Sequence, residues 1–268
     1  MNKYESYRCL SYFWHLLSME LKKSLGQHFL HDENMLKKIV SVMGDFTGYA
    51  SVAEVGPGHG ALTKRLLQKK ITDFKVIEID NRCVEVLKEK FPTLEVVHKD
   101  FLKADLPSLL QAPACIVGNF PYNVSTQIVF TIIDNKDLVA GMIGMFQKEV
   151  AQRIAAVPKT KAYGVMSILA QAYYESEYLL DVPPGCFTPP PKVMSGVVAL
   201  RRKTIPLGCD EVLFKKIVKQ SFTQRRKVLS NSLKGMCDVA ALGEFERLRP
   251  EALSVADFVT LTNQIANA

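Results

Sequence analysis

The sequence predicts an α/β fold: an open, mostly parallel sheet with an antiparallel edge strand, followed by a small all-α C-terminal unit. Three observations carry this expectation. Short apolar strand-like runs alternate with helical patterns from Ser51 to Ala156. A glycine-rich turn, Gly56-Pro57-Gly58-His59-Gly60, stands directly between the first of these strands and a helix. Beyond Thr204 the strand-like runs cease and only helical periodicity remains.

In order, Met1 to Ser18 carries a short apolar run that contains His15 and lacks a small-residue cleavage site. Residues 1–20 are expected to be an extension outside the fold, with Met19 a candidate start. Lys22 to Leu30 is a basic, glycine-containing lead-in. From about Asp32 to Met43, apolar residues at 35, 36, 39, 40 and 43 share one helical face. Ser51–Val55 reads as a strand, the glycine turn follows, and a helix is expected from Ala61 to about Lys70. Phe74–Asp80 is a second strand, Cys83–Lys90 a helix, and Leu94–His98 a third strand.

Ala114–Gly118 is a buried strand that opens onto Asn119-Phe120-Pro121-Tyr122. A helix over Ser125–Ile133, a strand over Leu138–Phe146 and helices over Gln147–Ala156 and Ala162–Ala172 complete the alternation. Tyr173–Val182 and Val193–Arg201 are strand-like and joined by a proline-rich loop, so they are expected to pair antiparallel at the sheet edge. Pro206 and Gly208 mark a linker, which divides the chain into residues 21–205 and a helical unit, 206–268.

Composition narrows the function classes. The 268 residues are 48% apolar and 23% charged, which is the profile of a globular chain. A net charge of +7 favours an acidic partner, with nucleic acid the commonest. The six cysteines include no C-x-x-C pair, so neither a zinc site nor a disulfide framework is expected. His28 and His31 lie three apart without a partner set, so no metal is expected.

The candidate site collects at the carboxyl ends of the strands, where open parallel sheets bind ligands. Glycines at 56, 58 and 60 permit positive φ and close approach of a ligand to the backbone. The spacing is neither G-x-G-x-x-G nor a P-loop, and the adjacent acid Glu54 disfavours a phosphate. A nucleoside with a positive charge, such as a sulfonium, fits better. Glu78, 22 residues after Gly56, is placed to take ribose hydroxyls, with Asp80 as its competitor. Asp100 can accept an adenine amine, with Phe101 beside it. Asn119 and the Pro121 carbonyl can accept hydrogen bonds from the exocyclic amine of a flat base that Tyr122 covers. Lys215 to Lys234 holds seven Lys or Arg and no acid, the pattern of a phosphate-contacting surface.

Taken in order, Gly26-Gln27-His28-Phe29-Leu30, Glu54 to Thr63, Glu78-Ile79-Asp80, Lys99-Asp100-Phe101, Asn119 to Thr126, Phe187 to Val193 and Ser221 to Lys227 resemble one family. It is the bacterial small-subunit ribosomal RNA adenine N6,N6-dimethyltransferases, KsgA/RsmA, and the likeness runs from Leu21 to the end. The resemblance implies a Rossmann-like methyltransferase sheet and S-adenosylmethionine held by His28, Leu30, Gly56, Glu78, Asp100 and Asn119, to which the glycine reading adds Gly58. It implies a target adenine held by Asn119, Pro121 and Tyr122, with Phe187 covering its other face. It also implies RNA contact through Arg225, Arg226 and Lys227, with Lys22 and Lys23 adding to that surface. The expected partner is small-subunit rRNA in an immature 30S particle, met by a monomer in the cytoplasm. The family more often has Asn at 28 and usually Leu at 120, so Phe120 is a departure that reshapes one pocket wall. Two alternatives remain open: a large-subunit adenine methyltransferase of the antibiotic-resistance type, and a non-catalytic RNA-binding assembly factor.

Overall fold

The chain was analysed as a computed structural model, which describes residues 28–268. The expected extension and the lysines at 22 and 23 lie outside the described residues.

A seven-stranded sheet forms the centre. Its strands are β2 (Ser51–Val55), β3 (Phe74–Glu78), β4 (Glu95–His98), β5 (Ala114–Asn119), β6 (Val139–Gln147), β7 (Tyr174–Val182) and β9 (Ser195–Arg202). They lie in the order β4-β3-β2-β5-β6-β9-β7. The first five are mutually parallel, whereas β9 runs antiparallel to both β6 and β7. The expected antiparallel edge is therefore present, with β9 inserted between β6 and the outermost β7. The order reverses at β2, so the crevice beyond the carboxyl ends of β2 and β5 is the topological switch point.

Two further short strands, β1 (Phe29–Leu30) and β8 (Phe187–Thr188), pair antiparallel with Phe29 opposite Thr188 and Leu30 opposite Phe187. The lead-in thus ends in a strand. No local periodicity announces a two-residue strand whose partner lies far along the chain.

The helices are α1 (Glu33–Val42), α2 (Thr63–Leu66), α3 (Asn81–Lys90), α4 (Leu106–Leu109), α5 (Ser125–Asp134), α6 (Lys148–Ile154), α7 (Val165–Tyr173), α8 (Glu211–Thr223), α9 (Leu229–Ser232) and α10 (Val255–Ala266). Asp32, Asp80 and Asp210 cap α1, α3 and α8 by accepting main-chain N–H bonds, which fixes those starts near the expected positions. One expectation needs correction. The helix after the glycine turn spans only Thr63–Leu66: Gly60 holds φ at +81° and the chain turns through Ala61 and Leu62, while past Leu67 the N–H groups of Gln68 and Lys69 reach back only three residues and the helix ends. The basic C-terminal tract is not one helix: α8 stops at Thr223, and Arg225–Lys227 sit on the turn before α9.

Apolar side chains cover both sheet faces. One cluster joins Ile116, Phe120, Val129, Ile168 and Leu169 to Phe214, Ile217, Phe258 and Leu261 of the C-terminal helices. The other gathers Leu30, Leu36, Val117, Val182 and Phe187 on the opposite face. The strands holding the site are thus anchored on both sides, which leaves their carboxyl ends as a rigid rim.

Candidate active site

A cavity of about 740 Å³ opens at the switch point, within the range of about 300–1,000 Å³ usual for small-molecule sites. Every cofactor residue expected from the sequence lines it: His28, Leu30, Gly56, Gly58, Glu78, Asp100 and Asn119. Pro121 and Tyr122 line it too.

The turn after β2 is shaped by three glycines in the left-handed region, with φ of +66°, +56° and +81° at 56, 58 and 60. At Gly58 there is a second constraint: a Cβ there would lie 2.7 Å from the Phe29 ring. Phe29 in turn stacks on His59, centroids 4.2 Å apart. Burial and the Lys90 and Arg82 charges push the His59 imidazole down to about 4, so it is neutral at pH 7.

Glu78 closes β3 with its carboxylate turned onto the glycine turn. One oxygen accepts the N–H groups of Ile79 (2.8 Å) and Asp80 (2.9 Å), the other that of Gly58 (3.1 Å). Burial raises its pKa and these three bonds oppose the rise. A carboxylate offers about four acceptor positions, so one on the second oxygen remains for a hydroxyl. Asp80 is spoken for elsewhere: it caps α3, forms a 2.6 Å ion pair with Arg82, and does not line the cavity. Of the two acids, Glu78 lines the cavity and Asp80 does not.

Glu54 is 1% exposed and accepts the Thr63 hydroxyl at 2.7 Å. Burial is the main force pushing its carboxyl up to about 8, and Glu78 nearby adds to it. Asp100 accepts from the Leu102 N–H at 3.0 Å and remains partly exposed at the rim.

The tetrapeptide after β5 is held at each end. The Asn119 side-chain nitrogen donates to the His28 carbonyl at 2.9 Å. A carbonyl cannot donate, so the amide nitrogen is the atom facing it and Oδ1 is left as an acceptor. The Tyr122 hydroxyl bonds Ser195 Oγ at 2.5 Å and its ring tilts against His28, centroids 5.3 Å apart. His28 Nδ1 also bonds the Pro189 carbonyl at 2.8 Å. The partners Thr63, Ser195 and Pro189 were invisible in the sequence, since the last two lie 73 and 161 residues away from what they hold.

Phe187 differs from expectation. Its ring is 2% exposed, packed in the cluster with Leu30 and Val182, and it does not line the cavity. The β1–β8 pairing turns it inward, so in this arrangement it supports Leu30 beneath the cavity and covers no face of a base. Phe120 is likewise buried, at 1%, with its ring edge-on to Phe146.

The basic residues separate into two kinds. Arg225 donates to the carbonyls of Thr160 (3.1 Å) and Lys161 (2.9 Å) and is held to the body of the protein. Arg226 and Lys227 are exposed and form no ion pair among the described residues. No group of three or more potential metal ligands occurs among the described residues.

The donor set fits a nucleoside sulfonium: buried acids and aromatic rings around a glycine turn, with no phosphate-cradling loop.

Comparison with known proteins adds the following. The profile described as ribosomal RNA adenine dimethylase matches residues 18–267. A protein of Cytophaga hutchinsonii named ribosomal RNA small subunit methyltransferase A is 46% identical over 255 residues, covering 92% of this chain and 98% of that protein. One of the same name from Bacteroides thetaiotaomicron is 47% identical over 255 residues, covering 92% and 94%. Among solved structures, a dimethyladenosine transferase from Plasmodium falciparum superposes with a TM-score of 0.78 at 23% identity, covering 90% of this chain and 98% of that one. The 23S rRNA methyltransferase ErmE gives 0.66 at 24%, covering 89% and 99%. At such identities the structural likeness speaks for the fold alone.

Proposed function

The chain belongs to the ribosomal RNA adenine dimethylase family, and on that premise we propose that it dimethylates N6 of adjacent adenines in small-subunit (16S) rRNA during ribosome assembly. The enzyme is an S-adenosylmethionine-dependent rRNA adenine dimethyltransferase. The observation that carries the reading is the meeting, in one cavity, of Glu78 with an acceptor position to spare and Asn119 with its Oδ1 unengaged by His28.

The cofactor supplies a methyl group on a sulfonium, already an activated leaving group. Glu78 would take a ribose hydroxyl at its remaining acceptor position and Asp100 the adenine amine, and Gly56 and Gly58 would let the nucleoside lie against the backbone. His28 and Leu30 form the near wall. Adenine N6 is a poor nucleophile because its lone pair is delocalised into the ring. Acceptance of its N–H bonds by Asn119 Oδ1 and the Pro121 carbonyl favours a pyramidal nitrogen with a localised lone pair. Tyr122 stacks on the base, worth about 1–3 kcal/mol against the few kcal/mol needed to extrude it. Positioning of this kind can supply on the order of 7–11 kcal/mol. No metal or nucleophilic side chain is required. For Phe187, burial supports a supporting role under Leu30 unless the β1–β8 pair opens.

We assign RNA contact to the helical unit, 206–268, through Arg226 and Lys227, with Lys22 and Lys23 joining from outside the described residues. The fitting substrate is the immature 30S particle, and a monomer in the cytoplasm suits it. No helix among the described residues is long and apolar enough to cross a membrane.

Mass spectrometry of rRNA from cells lacking the protein tests this. The expected result is loss of N6,N6-dimethyladenosine from small-subunit rRNA, restored by the wild-type chain and not by Asn119→Ala. Loss from large-subunit rRNA instead, or no loss at all, overturns it.

A further inference from the structure

Two glycines directly opposite one another on neighbouring strands, Gly118 on β5 and Gly144 on β6, form the floor beneath Phe120. A Cβ on Gly144 would lie 2.1 Å from Cε2 of the Phe120 ring and 2.7 Å from Cδ2. A Cβ on Gly118 would meet the Val55 carbonyl oxygen of β2 first, at 2.5 Å, and then Cε1 of the ring at 2.9 Å and Cδ1 at 3.1 Å, on the opposite edge of the same ring. The ring therefore spans both glycines: it fills the space of the missing side chain at Gly144 and shares that at Gly118 with the Val55 carbonyl. Phe146 closes the remaining side edge-on, centroids 5.2 Å apart at 63°. The Phe120 N–H is bonded to the Met145 carbonyl at 3.2 Å, next to Gly144.

Gly144 has φ outside the left-handed region, so backbone freedom does not account for it there. What the position requires is the absence of a side chain. Real Cβ atoms do not approach another atom to 2.1 Å, so any side chain at 144 must lift the ring. Phe120 lies between Asn119 and Pro121, whose side-chain and main-chain oxygens are the proposed acceptors for N6. Lifting the ring moves both.

We infer that Gly144 is a positioning residue for methyl transfer: paired with Gly118, it forms a socket whose depth sets Phe120 and, through it, the acceptors of Asn119 and Pro121. This rests on the methyl-transfer reading above. Gly118 also lies against Val55, next to Gly56 of the cofactor turn, whereas the nearest neighbours of Gly144 are Phe120 and Phe146, so Gly144 is the position at which the two halves are separable by mutation.

The test compares Gly144→Ala in two backgrounds, wild type and Phe120→Leu, on 30S subunits purified from cells lacking the protein, with S-adenosylmethionine. Wild-type turnover is measured first: its absence sinks the methyl-transfer reading itself, whereas its presence leaves only the socket at stake. With Phe120 present, Gly144→Ala is expected to lower kcat by about tenfold or more, since misplacement of reacting groups by about 1 Å can cost 10²-fold. Cofactor affinity by calorimetry stays within about twofold, a split that general loss of structure does not produce. With Leu at 120 the same substitution costs less than about threefold, because the smaller side chain accepts the added methyl. Equal losses in both backgrounds, or parallel loss of kcat and cofactor affinity, overturn the inference. Should Gly144→Ala alone fail to fold, an active, folded Phe120→Leu/Gly144→Ala protein supports the socket. Failure of both to fold overturns it.

Discussion

The Asn119 side chain donates to the main-chain carbonyl of His28, 91 residues earlier in the chain, at 2.9 Å. This single bond decides which end of a symmetric-looking amide is left to face the cavity. Asn119→Asp removes the donor and sets two acceptors against each other, so the carboxylate must turn away from His28. Asn119→Ala removes both functions. Each is expected to lower single-turnover methyl transfer by about 10²–10³-fold, the usual cost of losing one preorganised hydrogen bond to a reacting group. Calorimetry with the cofactor separates this loss of chemistry from a loss of binding.

Gly58 is constrained twice, by a φ of +56° and by Phe29 at 2.7 Å from any Cβ. Gly58→Ala therefore strains the turn and pushes β1 off it. About 1–3 kcal/mol of stability should be lost. Cofactor Kd should rise by about tenfold or more, since a loss of about 1.4 kcal/mol suffices for that. Retained cofactor affinity in a folded variant contradicts the assignment of this turn.

Glu54 gives stability a pH dependence of unusual sign. Its folded pKa, about 8, lies above the ordinary carboxyl value of 4.5, so between these pH values the folded state holds a proton that the unfolded state has released. Stability from this group is complete below pH 4.5 and is lost as pH rises towards 8. The difference in unfolding free energy between wild type and Glu54→Gln should therefore fall by about 1.4 kcal/mol per pH unit across that window. Urea melts at several pH values measure it, and using the difference removes the opposite contribution of His59, whose pKa is depressed to about 4.

Arg225 and its neighbours should separate cleanly. Arg226→Ala and Lys227→Ala are each expected to weaken rRNA binding and to reduce the slope of log K against log salt by about one. Arg225→Ala acts chiefly on stability, because Arg225 is bonded to the Thr160 and Lys161 carbonyls. Filter binding over a salt series, with thermal melts beside it, distinguishes them. A salt slope unchanged in both Arg226→Ala and Lys227→Ala refutes the phosphate assignment.

The sequence alone determined the fold class and the strand–glycine turn–helix order, and it offered candidate residues most of which the structure gathers around one cavity. These are legible because side-chain periodicity, helix caps such as Asp32 and Asp80, and turn glycines act on their immediate neighbours. Tertiary structure decided the rest. It put Glu78 on the cavity wall and engaged Asp80 with Arg82. It turned Phe187 into the core by pairing it with Leu30, and broke the basic tract at Thr223. It also gave Phe120 its place, on two glycines 2 and 24 residues from it in the chain (120 − 118 and 144 − 120). Each of these outcomes depends on which distant atom arrives opposite a side chain. No local pattern records that, because the pairing exists only once the sheet has assembled and its close-packed interior admits one occupant at each point.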